Sequence, residues 1–365
     1  MVGANVILAD DLTGACDAGV EFAMAGLPVN VWLPGVRNTG EGIHVYDTDS
    51  RGLAMEEAAT RVSELARDLA QRGAALLYKK IDSTLKGNLG SELRGLREKG
   101  LISGAIIAPA NPRMGRTVTG GWLEVYGERG PHLPSMLRAQ GLVGVAHIDQ
   151  GKVAEGAGAI AAHIRELVAA RMSFLACDTT VPWHLQEIAR AAQALGDRLL
   201  LTGSAGLAGE VARLMAGGCM QKSCGRPEGP ASGLAVYVGS QNPVTLRQLD
   251  YLLEHRPEGE LKIERVRAEE LGRPLREDLL PPRNQRWTIF ASGGDTAESV
   301  LGAMGAQGIR LVGELASGVP WGYVRGGAWE GMPVVTKPGG FGAPDTLVRV
   351  AAAAFRLAEE RESNL

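Results

Sequence analysis

The stretch VILADDLTGACDAGVEFAMA, Val6 to Ala25, decides the fold. Its apolar, β-branched opening predicts a strand from Val6 to Asp10, and the run behind it predicts a helix from about Gly14 to Ala25. Asp10, Asp11 and Thr13 stand at the junction. Strand, acidic turn and helix form the opening of a βαβ sheet, whose ligands sit beyond the carboxyl ends of the strands.

The rhythm continues outward from there. Strands are predicted at VNVWL, IHVYD, Ala75 to Ile81, Gly104 to Ala110, Ser173 to Asp178 and Arg198 to Gly203, with helices at Met55 to Gln71 and Leu89 to Lys99. The pattern stops in GGCMQKSCGRPEGPASG, residues 217–233, and restarts with a strand at Leu234 to Ser240 and a helix at Pro243 to Glu254. LKIERV, Trp287 to Gly294, IRLVGEL and PVVTKPG follow as strands, with a last helix from Pro344. The expectation is an α/β protein of two domains, each a mostly parallel sheet flanked by helices, with the active site in the cleft between them. The divisions are 1–217, a linker at 218–233, and 234–365, in keeping with the length of 365 residues.

A net charge of −3 gives no broad attraction to nucleic acid or an anionic membrane. No apolar run approaches the roughly 20 residues that span a bilayer, and the N-terminus lacks a basic leader, so a cytoplasmic protein is expected. Cys16, Cys177, Cys219 and Cys224 form no CxxC pair and read as reduced thiols.

Chemistry concentrates at the strand ends. Adjacent Asp10 and Asp11 can hold Mg²⁺ or orient a hydroxyl, although one of them, or Thr13, also suits a helix cap. In DTDSR, Ser50 and Arg51 suit polar substrate contacts, while Asp47 occupies the place of a phosphoaspartate nucleophile. KKIDSTLKG supplies Lys80, Asp82, Ser83, Thr84 and Lys86 within a few positions, and Arg116 in GRTVTGG can clamp a carboxylate. In the second half, GSQN, SGGDT and KPGGFG place Ser240, Asn242, Gly293, Gly294, Asp295, Thr296, Gly339 and Gly340 after strands. Glycine turns there let backbone N–H groups approach phosphate, so these loops read as a nucleotide site. No P-loop is present.

Together, ADDLTGACDAG, DTDSR, KKIDSTLKGNLGSEL, ANPRMGRTVTGG, GSQNPVTLRQLDYL, SGGDTAESVL, GELASGVPW and TKPGGFG resemble the four-carbon acid sugar kinase family, in order from Val6 to about Val348. The resemblance implies a sugar-binding N-terminal domain, a nucleotide-binding C-terminal domain, and phosphorylation by ATP of the terminal hydroxyl of threonate, erythronate or an oxo-tetronate. It also implies ATP contacts from Ser240, SGGDT and PGGFG. The family's last loop usually reads KSGNFG, so Pro338 and Gly340 here remove two side-chain hydrogen-bonding groups.

On this reading ATP and Mg²⁺ are the cofactors, with no metal ligand assigned, and a small sugar acid is the partner, homodimer formation being left open. Lys80, Lys86 and Arg116 would divide the substrate carboxylate and the transferring phosphoryl between them. Asp10, Asp11 or Asp82 would orient the attacking hydroxyl. The alternatives are a non-catalytic sensor on the same scaffold and a phosphatase built on Asp47.

Overall fold

The structure, a computed structural model, describes residues 4–196, 199–217 and 232–355. Its strands are β1 (Asn5–Ala9), β2 (Val29–Trp32), β3 (Ile43–Asp47), β4 (Ala75–Lys80), β5 (Ala105–Ala108), β6 (Arg116–Thr119), β7 (Trp122–Val125), β8 (Glu128–His132), β9 (Val145–Ile148), β10 (Phe174–Cys177), β11 (Leu200–Gly203), β12 (Gly233–Val238), β13 (Glu260–Arg265), β14 (Trp287–Ser292), β15 (Gly308–Ala316), β16 (Val319–Arg325) and β17 (Pro333–Lys337). The helices are α1 (Leu12–Met24), α2 (Met55–Gln71), α3 (Leu89–Glu98), α4 (Leu133–Ala139), α5 (Gln150–Ala154), α6 (Ala157–Ala169), α7 (Pro182–Leu195), α8 (Ala205–Met215), α9 (Pro243–Glu254), α10 (Gly294–Ala303) and α11 (Thr346–Phe355).

In the first half, β2-β3-β1-β4-β11-β5-β10-β9 run parallel. From β1 the chain goes to β2 and β3 on one side and to β4 on the other, so a crevice opens at the carboxyl ends of β1 and β4. The second half repeats the device: β13 and β14 flank β12 on opposite sides, and β17 lies beyond β14. The central strands are apolar and buried on both faces, as parallel strands covered by helices must be.

The two expected sheets are joined into one of 14 strands. β15 pairs antiparallel with β2, Gly308 opposite Trp32 and Leu311 opposite Val29. Each would otherwise be an exposed edge, so the pairing satisfies backbone groups on both halves. α1 crosses this seam, packing on β2, β3, β15 and α10. Its run of small residues permits the close approach: a methyl group at Gly19 would stand 2.8 Å from Leu311 Cδ1 and 3.1 Å from Val45 Cγ2. At Gly308 a side-chain carbon would fall on the Val31 carbonyl oxygen. Gly308→Ala is therefore expected to destabilise the protein by about 1–3 kcal/mol or more, read as a lower midpoint in urea; an unchanged midpoint would show that the seam adds little.

Two features differ from the expected parallel pattern. β6, β7 and β8 form a small antiparallel sheet, and β15, β16 and β17 are antiparallel neighbours. β16 carries Pro320 behind a glycine turn, and such residues read as loop until their partners are known. Of the expected linker, residues 218–231 lie outside the described residues, as do Cys219 and Cys224, and Gly233 already belongs to β12.

Candidate active site

Register brings the sequence clusters abreast. Ala9 is opposite both Asp47 and Lys80, so Asp10 and the ends of β3 and β4 meet at one edge. In the second half Ser292 is opposite Val238 and Lys337, which aligns GSQN, SGGDT and KPGGFG. The two edges touch: a methyl group at Gly294 would stand 3.4 Å from Asp11 Oδ2 and 3.8 Å from Thr13 Oγ1. The starts of α1 and α10, both ends carrying free N–H groups, thus face one another across the cleft.

Arg51 holds Asp10 and Asp11 together. Its Nε and Nη2 donate to Asp10 at 2.8 and 3.0 Å, and Nη1 and Nη2 donate to Asp11 at 2.7 and 2.8 Å. Arg51 is therefore committed to the two aspartates and is not the free substrate contact expected of it. Burial would raise the Asp10 carboxyl, but Arg51, backed by Lys79 and Lys80, holds it below the usual range. Burial keeps Asp11 raised despite Arg51. Asp11 also caps α1, accepting from Gly14 N at 2.9 Å, and Thr13 Oγ1 donates to it at 2.7 Å. The Asp11 side chain is 16% exposed against 4% for Asp10, so Asp11 is the one that a ligand can reach.

Lys80 is 3% exposed. Its Nζ donates to Ile81 O at 2.9 Å, and among the described residues no carboxylate forms an ion pair with it. It lies beside the start of α1, 3.0 Å from where a methyl group on Gly14 would be. A buried cation with spare donors at the mouth of a helix suits an anionic group. Its neighbour Lys79 points the other way and pairs with Glu92 at 2.8 Å in the core. Ser50 joins that network, donating to Glu92 at 2.5 Å and lying 2.7 Å from Thr48 Oγ1, so its hydroxyl supports the loop and does not face a substrate.

Asp82 is a turn-former. Its Oδ2 accepts from the backbone N–H groups of Thr84 and Lys86, both at 3.2 Å, and from the Thr84 hydroxyl. Those bonds occupy Thr84, while Lys86 is exposed at the rim and Ser83 is buried beside it. Arg116 is buried, donates to Met114 O at 2.9 Å, and stacks on Phe341 of the glycine loop with its guanidinium carbon 4.7 Å from the ring centre. Among the described residues its Nε has no partner, so it retains donor capacity across the cleft. Asp47 is 2% exposed, and burial, with Glu298 adding, raises its carboxyl well above the usual range. A nucleophile must be reachable by its substrate, and the burial of Asp47 gives the phosphatase alternative no support.

On the far wall, Ser240 and Asn242 face KPGGFG. A side-chain carbon at Gly339 would collide with Ser240 Oγ, and one at Gly340 would stand 3.4 Å from Asn242 Nδ2. Asn242 caps α9 through Val244 N at 2.9 Å. Gly293, at φ +103°, precedes α10, where Asp295 is exposed and Thr296 is buried as a support. Among the described residues no acceptor is bonded to the N–H of Gly339 or Gly340. Two open amides beside Ser240 and Asn242 fit a phosphate.

Motif reading missed a cavity of about 180 Å³ beside these clusters, lined by Asp17, Glu21, Asn111, Arg113, Glu314 and Phe341 among others. It has room for several waters or a small polar ligand. Its residues come from separate elements, and only the repeated acidic spacing along α1, Asp17 and Glu21, hinted at it. Burial, with Glu314 and Asp17 adding, pushes Glu21 up to about 8, and burial pushes Glu314 up to about 7. The folded state then holds these protons more tightly than the unfolded chain, so stability falls as pH rises from about 4.5 through about 8. Glu21→Gln is expected to melt above the wild type at pH 8 and alongside it near pH 4.5, by thermal unfolding; equal midpoints at both pH values would refute this.

Two family models match parts of the chain. The model of a sugar-binding N-terminal domain matches residues 5–211, and that of a nucleotide-binding C-terminal domain matches residues 272–347. The D-threonate kinase of Bordetella bronchiseptica is 33% identical, with 95% of this chain and 96% of that protein covered. The D-erythronate kinase of Heliobacterium modesticaldum is 26% identical (93% and 94% covered), and the 3-oxo-tetronate kinase of Pectobacterium atrosepticum 28% (94% and 97%). Solved structures from Haemophilus influenzae (20% identical, TM-score 0.74, 96% of this chain and 100% of that one) and Salmonella typhimurium (21%, 0.77, 95% and 98%) share the fold. A sugar-binding domain followed by a nucleotide-binding domain defines a two-domain small-molecule kinase. The chain belongs to the four-carbon acid sugar kinase family.

Proposed function

We propose that this protein transfers the γ-phosphoryl group of MgATP to the terminal hydroxyl of a four-carbon sugar acid. The observation that carries the reading is the meeting of α10's start with Asp11, which brings the phosphate-binding edge of one half against the carboxylate and lysine of the other. The bound nucleotide supplies the phosphoryl group, and Mg²⁺ neutralises charge on it. Mg²⁺ commonly rests on one or two carboxylates plus phosphate oxygens; Asp295, exposed at the start of α10, would hold it, Asp11 being tied to Arg51, Thr13 and Gly14 N.

The chain's own groups then act by position and charge. Lys80 stabilises negative charge on the transferring group, and Asp11, fixed by Arg51 and Thr13, orients the acceptor hydroxyl. The sugar acid occupies the cavity at Asp17, where Arg113 and Arg213 are the lining cations and Arg116 acts electrostatically on Asp17 from beside it. Cys16 and Cys177 are free, buried, and pushed up to about 12 by burial, which suits a reducing cytoplasm. No helix among the described residues is long and apolar enough to cross a membrane.

The test is Mg²⁺-dependent ATP consumption with D- and L-threonate, D- and L-erythronate and their oxo forms, locating the product phosphate by phosphorus NMR. D-Threonate comes first because the relative at 33% identity bears that name. Turnover at the terminal hydroxyl of one of these acids is expected; ATP binding with no turnover on any of them would favour the sensor reading.

A further inference from the structure

KPGGFG has lost the side chains that the resemblance led one to expect in a phosphate loop, and its shape is held from beneath instead. Lys337, at the end of β17, is fully buried. Its Nζ donates to Pro338 O at 2.8 Å and Phe341 O at 3.0 Å, and lies 3.5 Å from Gly339 O and 3.3 Å from Thr245 Oγ1. Thr245 Oγ1 donates to Gly339 O at 2.7 Å, and Gln248 Nε2 to Phe341 O and Ala343 O at 3.0 and 2.9 Å. The carbonyls of the turn are thus drawn inward, which leaves the N–H groups of Gly339 and Gly340 without a bonded acceptor among the described residues.

We propose that Lys337 is the positioning residue of the nucleotide loop: its ammonium gathers the carbonyls of residues 338–341 beneath the turn so that the Gly339 and Gly340 amides point at a phosphate. The inference rests on the nucleotide reading of that loop and adds how the loop is held. A neutral side chain could satisfy one or two of these oxygens, whereas an ammonium offers three donors and a charge toward which several carbonyl dipoles point. Among the described residues no carboxylate forms an ion pair with Lys337. A buried charge without a counterion is costly, and an incoming polyanion supplies the missing one.

A consequence separates this role from mere packing. Burial alone pulls the Lys337 ammonium down to about 8. The groups facing it are Thr245 and Gln248 from α9, with Ser292 of β14 behind Thr245, and the loop carbonyls, none of them titratable near neutral pH. Binding a phosphate favours the charged lysine, so nucleotide binding takes up protons where the free protein has lost them.

The experiment is calorimetric titration of the full chain with ADP at pH 8.5, in two buffers of different ionisation enthalpy, for the wild type and Lys337→Met. The wild type is expected to take up a large part of one proton per ADP. The variant should take up none and bind ADP at least tenfold more weakly, while a sugar acid shifts its melting temperature as in the wild type. Absence of uptake in the wild type, or ADP binding within twofold of wild type by the variant with its circular dichroism intact, would overturn the proposal alone. Failure of the wild type to bind ADP at all would bring down the nucleotide reading together with it.

Discussion

Lys80→Met should lower kcat by about 10²- to 10³-fold, the cost of removing one preorganised charge from a phosphoryl-transfer site, while ADP affinity stays within a few-fold of wild type. The expectation follows from how little holds the ammonium. Among the described residues Lys80 Nζ has one bond, to Ile81 O, beside the start of α1 and the Asp10–Asp11 pair. Methionine has a similar length and no charge, so the buried channel of the side chain stays filled. Lys79→Met is the informative contrast. That lysine pairs with Glu92 in the core, and its loss leaves a buried carboxylate unpaired, so the damage should appear in stability and only secondarily in turnover. Turnover of Lys80→Met within fivefold of wild type would show that Lys80 is structural.

Asp11→Asn should lower kcat by about 10²-fold or more, whereas Asp82→Asn should leave turnover near wild type. Both aspartates looked equally suited to the acceptor hydroxyl. The structure gives them different surroundings: Asp82 Oδ2 caps its own turn, while Asp11, held by Arg51, Thr13 and Gly14 N, faces Gly294 across the cleft. The amide in Asp11→Asn can still cap α1, since asparagine caps as well as aspartate, so the variant should fold. Steady-state rates for the two variants decide the matter. Equal losses would return Asp82 to the reacting group, and near-normal turnover by Asp11→Asn would move the orienting role elsewhere.

Much of the chain announced itself in sequence. IHVYD and the helices Met55–Gln71 and Pro243–Glu254 fall where apolar periodicity and caps placed them, because those signals are local. The acidic, lysine-bearing and glycine-rich clusters were also visible as clusters, since each lies within a few residues of a strand end. Partnership was not visible. Arg51 and Ser50 sit in a motif rich in substrate-like groups, yet one is spent on Asp10 and Asp11 and the other on Glu92, which is 42 positions away in the chain. The same holds for β16, whose strand state depends on pairing with β15 and β17 and overrides a sequence that reads as turn.

By itself the sequence determined the βαβ rhythm in two halves, the strand-end location of the chemistry, and through its motifs the family. Those follow from periodicity and turn chemistry, which act over a few residues. Only the tertiary structure decided that β2 and β15 fuse the halves, that Arg51 ties Asp10 and Asp11 together while Asp82 caps its own turn, and that Lys337 lies beneath the carbonyls of the glycine loop. Each of these depends on hydrogen bonds and burial between residues far apart in the chain, and a buried donor's availability is fixed by which acceptor reaches it first in space.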